Sequence, residues 1–147
     1  MRVLLLADGE VGAKILTFLI NNYAEDLALI VTTQVNEIYR IAQENDIPVA
    51  LFDENEILSK LNSGIDLGIL AWWPKIIKSP LLDLPILGFI NTHPSLLPYN
   101  RGKHYNFWAL VEQAPFGVTL HFVDSGVDTG PIVAQREIHY DWCDVTV

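Results

Sequence analysis

The strongest constraint on this chain is an alternation of short, unbroken apolar runs with stretches of helical periodicity. Val3–Ala7 is apolar throughout and ends at Asp8-Gly9, as a strand covered on both faces does. Val11–Asn22 follows, with Val11, Ile15, Leu16, Phe18 and Leu19 on a broad helical face and Asn21-Asn22 as its stop. Leu27–Thr32 reads as a second strand, and Val35–Asn45 as a helix with Ile38, Ile41 and Ala42 on one side. Pro48–Phe52 is a third strand, Glu54–Leu61 a short helix, and Asp66–Ala71 and Ile86–Asn91 the fourth and fifth strands. This order predicts an α/β fold: a mostly parallel twisted sheet with helices on both faces. Ligands of such sheets sit beyond the carboxyl ends of the strands. The expected rim therefore carries Asp8–Val11, Thr32–Gln34, Trp72–Lys75 and Asn91–Ser95.

The second half changes character. Tyr105–Gln113 reads as a helix with Phe107, Leu110 and Val111 inward. Pro115–Val123 and Pro131–Ile138 read as two strands joined by a turn-rich loop, an antiparallel C-terminal addition to the sheet. No repeat, low-complexity tract or linker interrupts the chain, so residues 1–147 are expected to form a single domain.

Composition removes several functions. Nine basic against 18 acidic residues leave a net charge of −9, the wrong sign for a general nucleic-acid binder. Cys143 is the only cysteine, which excludes an intrachain disulfide and a cysteine-rich metal site. Its spacing from His139 does not make a metal site, and no metal is expected. No apolar run approaches the roughly 20 residues that span a bilayer, and the default location is the cytoplasm.

The chemistry concentrates in two stretches. Asn91 and His93 lie two apart at the end of a predicted strand, so their side chains point the same way, and Pro94 and Pro98 stiffen the exit. An amide donor beside an imidazole suits a carbonyl oxygen that becomes anionic. The alternative is a turn-capping Asn91 and a hydrogen-bonded rim histidine. The second stretch, Asp124–Gly130, is either a plain hairpin loop or a source of a carboxylate, Asp128, that holds the charged imidazole. Asn, His and Asp with no obvious nucleophile suggest transfer to an external one. His121 is expected to face the core or a neighbouring strand. Ser95 lacks the glycine context of a nucleophile elbow.

Asn91-x-His93-Pro94-Ser95-Leu96-Leu97-Pro98, then Arg101-Gly102, then Gly117-Val118-Thr119-Leu120-His121-Phe122-Val123-Asp124-x-Gly126-Val127-Asp128-Thr129-Gly130-Pro131-Ile132 resembles the folate-dependent formyltransferase superfamily. Residues 66–138 carry the diagnostic positions. The resemblance implies a Rossmann-like fold and a catalytic triad of Asn91, His93 and Asp128. It implies transfer of a formyl group from N10-formyltetrahydrofolate, as co-substrate, to an amine. It further implies a pterin seat at Trp72, Trp73, Pro74, Lys75 and Ile76, closed by Val123, Asp124 and Gly126.

Residues 97–108 are similar to sugar N-formyltransferases, which makes a nucleotide-linked dideoxy amino sugar the expected acceptor, with no nucleic acid and no membrane. Tyr99, Arg101 and Lys103 are the candidate substrate contacts, with His104 and Tyr105 beside them; core cover and solvated charge are the alternatives. The first loop, Asp8-Gly9-Glu10-Val11-Gly12, places two acids where the purine-synthesis transformylases have a glycine-rich phosphate loop. The end at Tyr140–Val147 is shorter than that of family members, implying a minimal or truncated domain and an uncovered apolar surface that favours a homo-oligomer. A hydrolase of the same donor and a non-catalytic folate-binding module remain the competing readings.

Overall fold

The computed structural model describes residues 1–61, 64–102, 104–112 and 114–139. The chain divides into two compact units, the first Met1–Ile90 and the second beginning at Asn91.

In the first unit, β1 (Val3–Ala7), β2 (Leu27–Thr32), β3 (Val49–Leu51) and β4 (Leu67–Ala71) are parallel and stand in the order β3-β2-β1-β4. Their register sets Leu5 between Ile30 of β2 and Ile69 of β4. All five residues of β1 are buried, which is why its sequence is apolar without alternation. Helices α1 (Gly9–Tyr23) and α2 (Glu37–Glu44) pack on one face, where Val3, Leu5, Ala7, Leu16, Ile30 and Ile38 form the core. The chain then reverses direction to place β4 on the far side of β1. Right-handed crossover therefore carries α3 (Glu54–Lys60), with its buried Ile57, to the opposite face.

The turn from β1 into α1 is closed by the protein itself. Asp8 caps α1, accepting the N–H of Gly9 at 2.8 Å and Nδ2 of Asn36 at 3.2 Å, and it also accepts the hydroxyl of Thr33. Gly9 has φ +62°, and a Cβ there would lie 2.9 Å from the Trp72 indole, so only glycine lets that ring cross the helix start. On α1, Val11 and Phe18 are exposed, against expectation. Gly12, Ala13 and Leu16 form its inner face, because α1 lies so close to the sheet that a Cβ on Gly12 would come within 3.0 Å of the Ala71 carbonyl.

Strand β5 is Phe89–His93, displaced towards the C-terminus from the expected Ile86–Asn91. Its first two residues belong to the first unit, where Phe89 is fully buried against Gly68. In the second unit the strand order is β5-β6-β7, with β6 (Gly117–Phe122) and β7 (Ile132–Glu137) antiparallel. The expected class, parallel α/β with an antiparallel C-terminal addition, is the class found. Helix α4 is Tyr105–Val111. Among its described side chains Phe107 and Val111 are exposed, not inward, and Ala109 is buried; the side chain of Leu110, also expected inward, lies outside the described ones.

Candidate active site

Every group of the polar cluster around Asp128 belongs to the second unit. Strand β5 places Asn91 and His93 on one side by its two-residue repeat. Strand β6 alternates buried Gly117, Thr119 and His121 with more exposed neighbours, so a histidine at the third inward position is driven inside. The loop after β6 delivers Asp128 in a left-handed conformation, φ 51°.

The Asp128 carboxylate is shared. Its Oδ2 lies 3.4 Å from Nδ1 of His93 and accepts the Gly102 N–H at 2.9 Å, while Oδ1 lies 3.6 Å from Nε2 of His121. The two imidazoles are 5% and 2% exposed and meet edge to face, with centroids 6.4 Å apart. Asn91 Nδ2 lies 3.4 Å from Nε2 of His121 and completes the cluster.

Backbone carbonyls fix the protons. Nε2 of His93 is 3.0 Å from the Asn100 carbonyl, which can only accept, so that nitrogen carries hydrogen. Its Nδ1 faces the Asp128 carboxylate, a contact that is attractive whenever that nitrogen also carries hydrogen. Nδ1 of His121 donates to the Phe122 carbonyl at 2.7 Å. Its Nε2 is thereby left to accept from Asn91 when the ring is neutral. A carboxylate shared by two imidazoles, with an amide donor alongside, can stabilise an oxyanion and move a proton.

The three side chains that the motif singles out, Asn91, His93 and Asp128, are thus brought together, linked through His121. His121 is the residue that sequence reasoning left in the core; it is buried as expected, but against Asp128. Its sequence signal is a second polar residue, two after Thr119, on the inward face of a strand.

The remaining candidates are more scattered in character. In the first unit, Trp72 is exposed with φ 57°, Pro74, Lys75 and Ile76 are exposed, and Trp73 is half-buried. Trp73 packs edge-on against Phe52 at 5.1 Å, and Lys75 Nζ stands 5.1 Å from the same ring. The buried indole N–H of Trp73 has no hydrogen-bond partner among the described residues. Exposed apolar walls and an unpartnered donor fit a flat heteroaromatic ring bearing acceptors. In the second unit Val123 is half-buried and Asp124 and Gly126 are exposed. Asp124 accepts the Thr129 hydroxyl at 2.6 Å and the Gly126 N–H at 2.9 Å, and these bonds, the hydroxyl foremost, hold its carboxyl below the usual aspartate range. Tyr99 and Arg101 are exposed, as is His104. Lys103 and Cys143 lie outside the described residues, and Tyr105 opens α4. Among the described residues no group of three or more metal-ligating side chains is assembled, and no helix is long and apolar enough to cross a membrane.

Comparison with known proteins identifies the family. The methionyl-tRNA formyltransferase of Deinococcus radiodurans is 39% identical over 87 residues, 57% of this chain and 27% of that protein, so the match spans about a quarter of that relative. The phosphoribosylglycinamide formyltransferase of Bacillus halodurans superposes with a TM-score of 0.84 at 28% identity, covering 99% of this chain and 83% of that one. A formyltransferase from Anoxybacillus kamchatkensis, solved in complex with UDP-4,6-dideoxy-4-formamido-L-AltNAc and tetrahydrofolate, superposes at 0.62 with 27% identity, over 96% of this chain and 62% of that one. The profile of the family described as formyl transferase matches residues 1–144, and the chain belongs to that family.

Proposed function

We propose that this chain carries a formyl-transfer centre in which Asn91, His93 and Asp128 act on N10-formyltetrahydrofolate and an amine. The observation that carries the reading is the half-buried Asp128 carboxylate with an imidazole at each oxygen and an amide donor beside the second ring. The folate supplies the formyl group. Asn91 presents an N–H to the formyl oxygen as negative charge develops there, and the His93 imidazolium adds positive charge beside it. Asp128 keeps His93 charged and, through water, takes a proton from the attacking amine and passes one towards the departing nitrogen. His121 accepts from the Asn91 amide and so orients it beside Asp128. Trp72, Trp73, Pro74, Lys75 and Ile76 are assigned to the folate, as are Val123, Asp124 and Gly126.

For the acceptor we favour a nucleotide-linked amino sugar, contacted by Tyr99 and Arg101. Support comes from the likeness to the Anoxybacillus kamchatkensis enzyme, whose complex contains a UDP-linked formamido sugar. The net charge of −9 disfavours a polyanionic RNA, and the Asp8 carboxylate already sits on the N-terminus of α1, where a phosphate would otherwise bind. Methionyl-tRNA is the second reading, favoured by the sequence likeness to the Deinococcus radiodurans enzyme.

The test is release of tetrahydrofolate from N10-formyltetrahydrofolate, with amino-sugar nucleotides, with methionyl-tRNA, and with neither. Release that requires an amino-sugar nucleotide is the expected result. Release that requires methionyl-tRNA replaces the acceptor, and release without amine makes the chain a hydrolase. Folate binding without release, seen as quenched tryptophan fluorescence, would overturn catalysis and leave a binding module.

A further inference from the structure

The His93–Asp128 pair is held from a single turn by main-chain atoms. Asn100 offers its carbonyl to Nε2 of His93 at 3.0 Å, and two residues later Gly102 offers its N–H to Oδ2 of Asp128 at 2.9 Å. That Oδ2 is the same oxygen that faces Nδ1 of His93. We infer that the turn 99–102 is the positioning element of the proposed catalytic pair, acting through its backbone, with Gly102 as the residue that permits it. This rests on the formyl-transfer reading for its consequence in turnover, but not for its geometry.

Three observations support the assignment. The turn is contorted where it touches the pair: Asn100 has φ 55° and Gly102 φ 79°, a region that ordinary L-residues avoid. Such conformations persist where surrounding bonds over-determine them. The bonds are present. Ser95 Oγ donates to the Tyr99 carbonyl at 2.7 Å, and the fully buried Thr119 hydroxyl donates to the Ser95 carbonyl at 2.8 Å while accepting the Leu97 N–H at 3.0 Å. With its amide turned to suit its neighbours, Asn100 donates to Glu112 at 3.3 Å and accepts the Ala109 N–H at 3.3 Å. Finally, a Cβ at Gly102 would meet nothing within 4 Å. Space therefore does not demand glycine at 102; the backbone conformation that aims the N–H does.

A consequence follows for the acceptor. Tyr99 and Arg101 send exposed side chains outward from the same turn whose Asn100 carbonyl and Gly102 N–H hold the pair. Acceptor contacts on the side chains are thus one peptide unit away from the groups that set His93 and Asp128.

The experiment compares Gly102→Val with Gly102→Asn. Valine resists a left-handed φ and displaces the N–H, whereas asparagine tolerates that conformation and keeps the donor. Gly102→Val is expected to lower kcat 10- to 100-fold, as a misplacement of about 1 Å does, with KM for the folate within twofold and the kcat–pH profile altered. The imidazole nitrogen resonances of His93 should move in this variant at fixed pH, a readout that needs no activity, and Gly102→Asn should recover most of both. A folded Gly102→Val protein with wild-type kcat and unmoved His93 resonances would overturn the inference. If Gly102→Val does not fold, Thr119→Val against Thr119→Ser asks the same question through the tether, with the same displacement expected for valine and its absence refuting the clamp. A wild-type chain that releases no tetrahydrofolate refutes formyl transfer, and the His93 resonances still decide whether the turn positions the pair.

Discussion

Asp128→Asn is the most informative single change, because it removes one charge and little else. Asparagine keeps the shape of the side chain and tolerates the left-handed φ of 51° at this position, so the loop has no reason to rearrange. Its carbonyl oxygen still accepts the Gly102 N–H, which bonds the carboxylate at 2.9 Å in the wild type. What disappears is the attraction between a carboxylate and the His93 imidazolium at 3.4 Å. At that separation Coulomb's law gives about 1 kcal/mol in bulk water and about 5 kcal/mol at an effective dielectric near 20. The two side chains are 6% and 13% exposed, which puts the pair nearer the second limit. Each 1.4 kcal/mol is about tenfold in rate, so the limits correspond to roughly tenfold and several thousandfold. The expected loss in kcat is about 10²- to 10³-fold. Because the charge acts as the oxyanion develops, kcat and kcat/KM should fall together. Tetrahydrofolate release under saturating acceptor measures the loss, and thermal unfolding shows that the fold is intact. A folded variant within threefold of the wild-type kcat would mean that Asp128 does not hold His93 charged in the reaction.

His121→Gln removes the ring that contacts both Asp128 and Asn91, and should lower kcat tenfold or more at unchanged folate KM; equal turnover would make His121 a packing residue. Gly68→Ala would set a methyl 2.2 Å from the buried Phe89 ring, and overpacking of this kind costs about 1–3 kcal/mol, so the melting temperature should fall by roughly 3–10 °C. An unchanged melting temperature would show that the ring can yield. Asp8→Ala deletes the cap of α1 and the shared partner of Thr33 and Asn36, which should cost about 1 kcal/mol or more by denaturant unfolding. A carboxyl held low favours the folded contacts above the ordinary aspartate range and loses them only as pH falls through its own depressed value. The Asp124 turn, read from the Gly126 amide resonance, should therefore survive acidification through that ordinary range; a change centred within it would refute the Thr129 and Gly126 bonds.

Some of the fold is written in residue type and some is not. Val3–Ala7 and Leu27–Thr32 match their expected limits because strands buried on both faces must be apolar at every position. Strand β5 was displaced because apolar identity misleads where the residue is not buried. Ile86 and Leu87 are both exposed, in a turn closed by the Gly88 N–H on the Pro85 carbonyl at 3.0 Å, with Gly88 at φ 82°. The same error in reverse explains Phe107, Val111 and Phe18. Large apolar side chains suggest an inner face, while the buried positions include the small Gly12, Ala13 and Ala109. A small residue advertises nothing by its chemistry, yet it is what allows a helix to come near.

The site divides along the same line. Asn91, His93 and Asp128 stand out in a sequence because amides, imidazoles and carboxylates are scarce at strand ends and carry chemistry of their own. His121 was legible only by counting along β6, where a second polar residue takes an inward position that packing alone would give to an aliphatic one. The Asn100 carbonyl and the Gly102 N–H were not legible at all, since every residue but proline has both groups. What distinguishes these two is the left-handed turn that aims them, and that turn is tied by a hydrogen bond from Ser95, itself bonded by Thr119, residues that look unremarkable in the sequence. The reactive side chains are therefore the readable part of such a centre. The groups that set their protons and orientation are backbone, and they become visible only once the turn itself is seen.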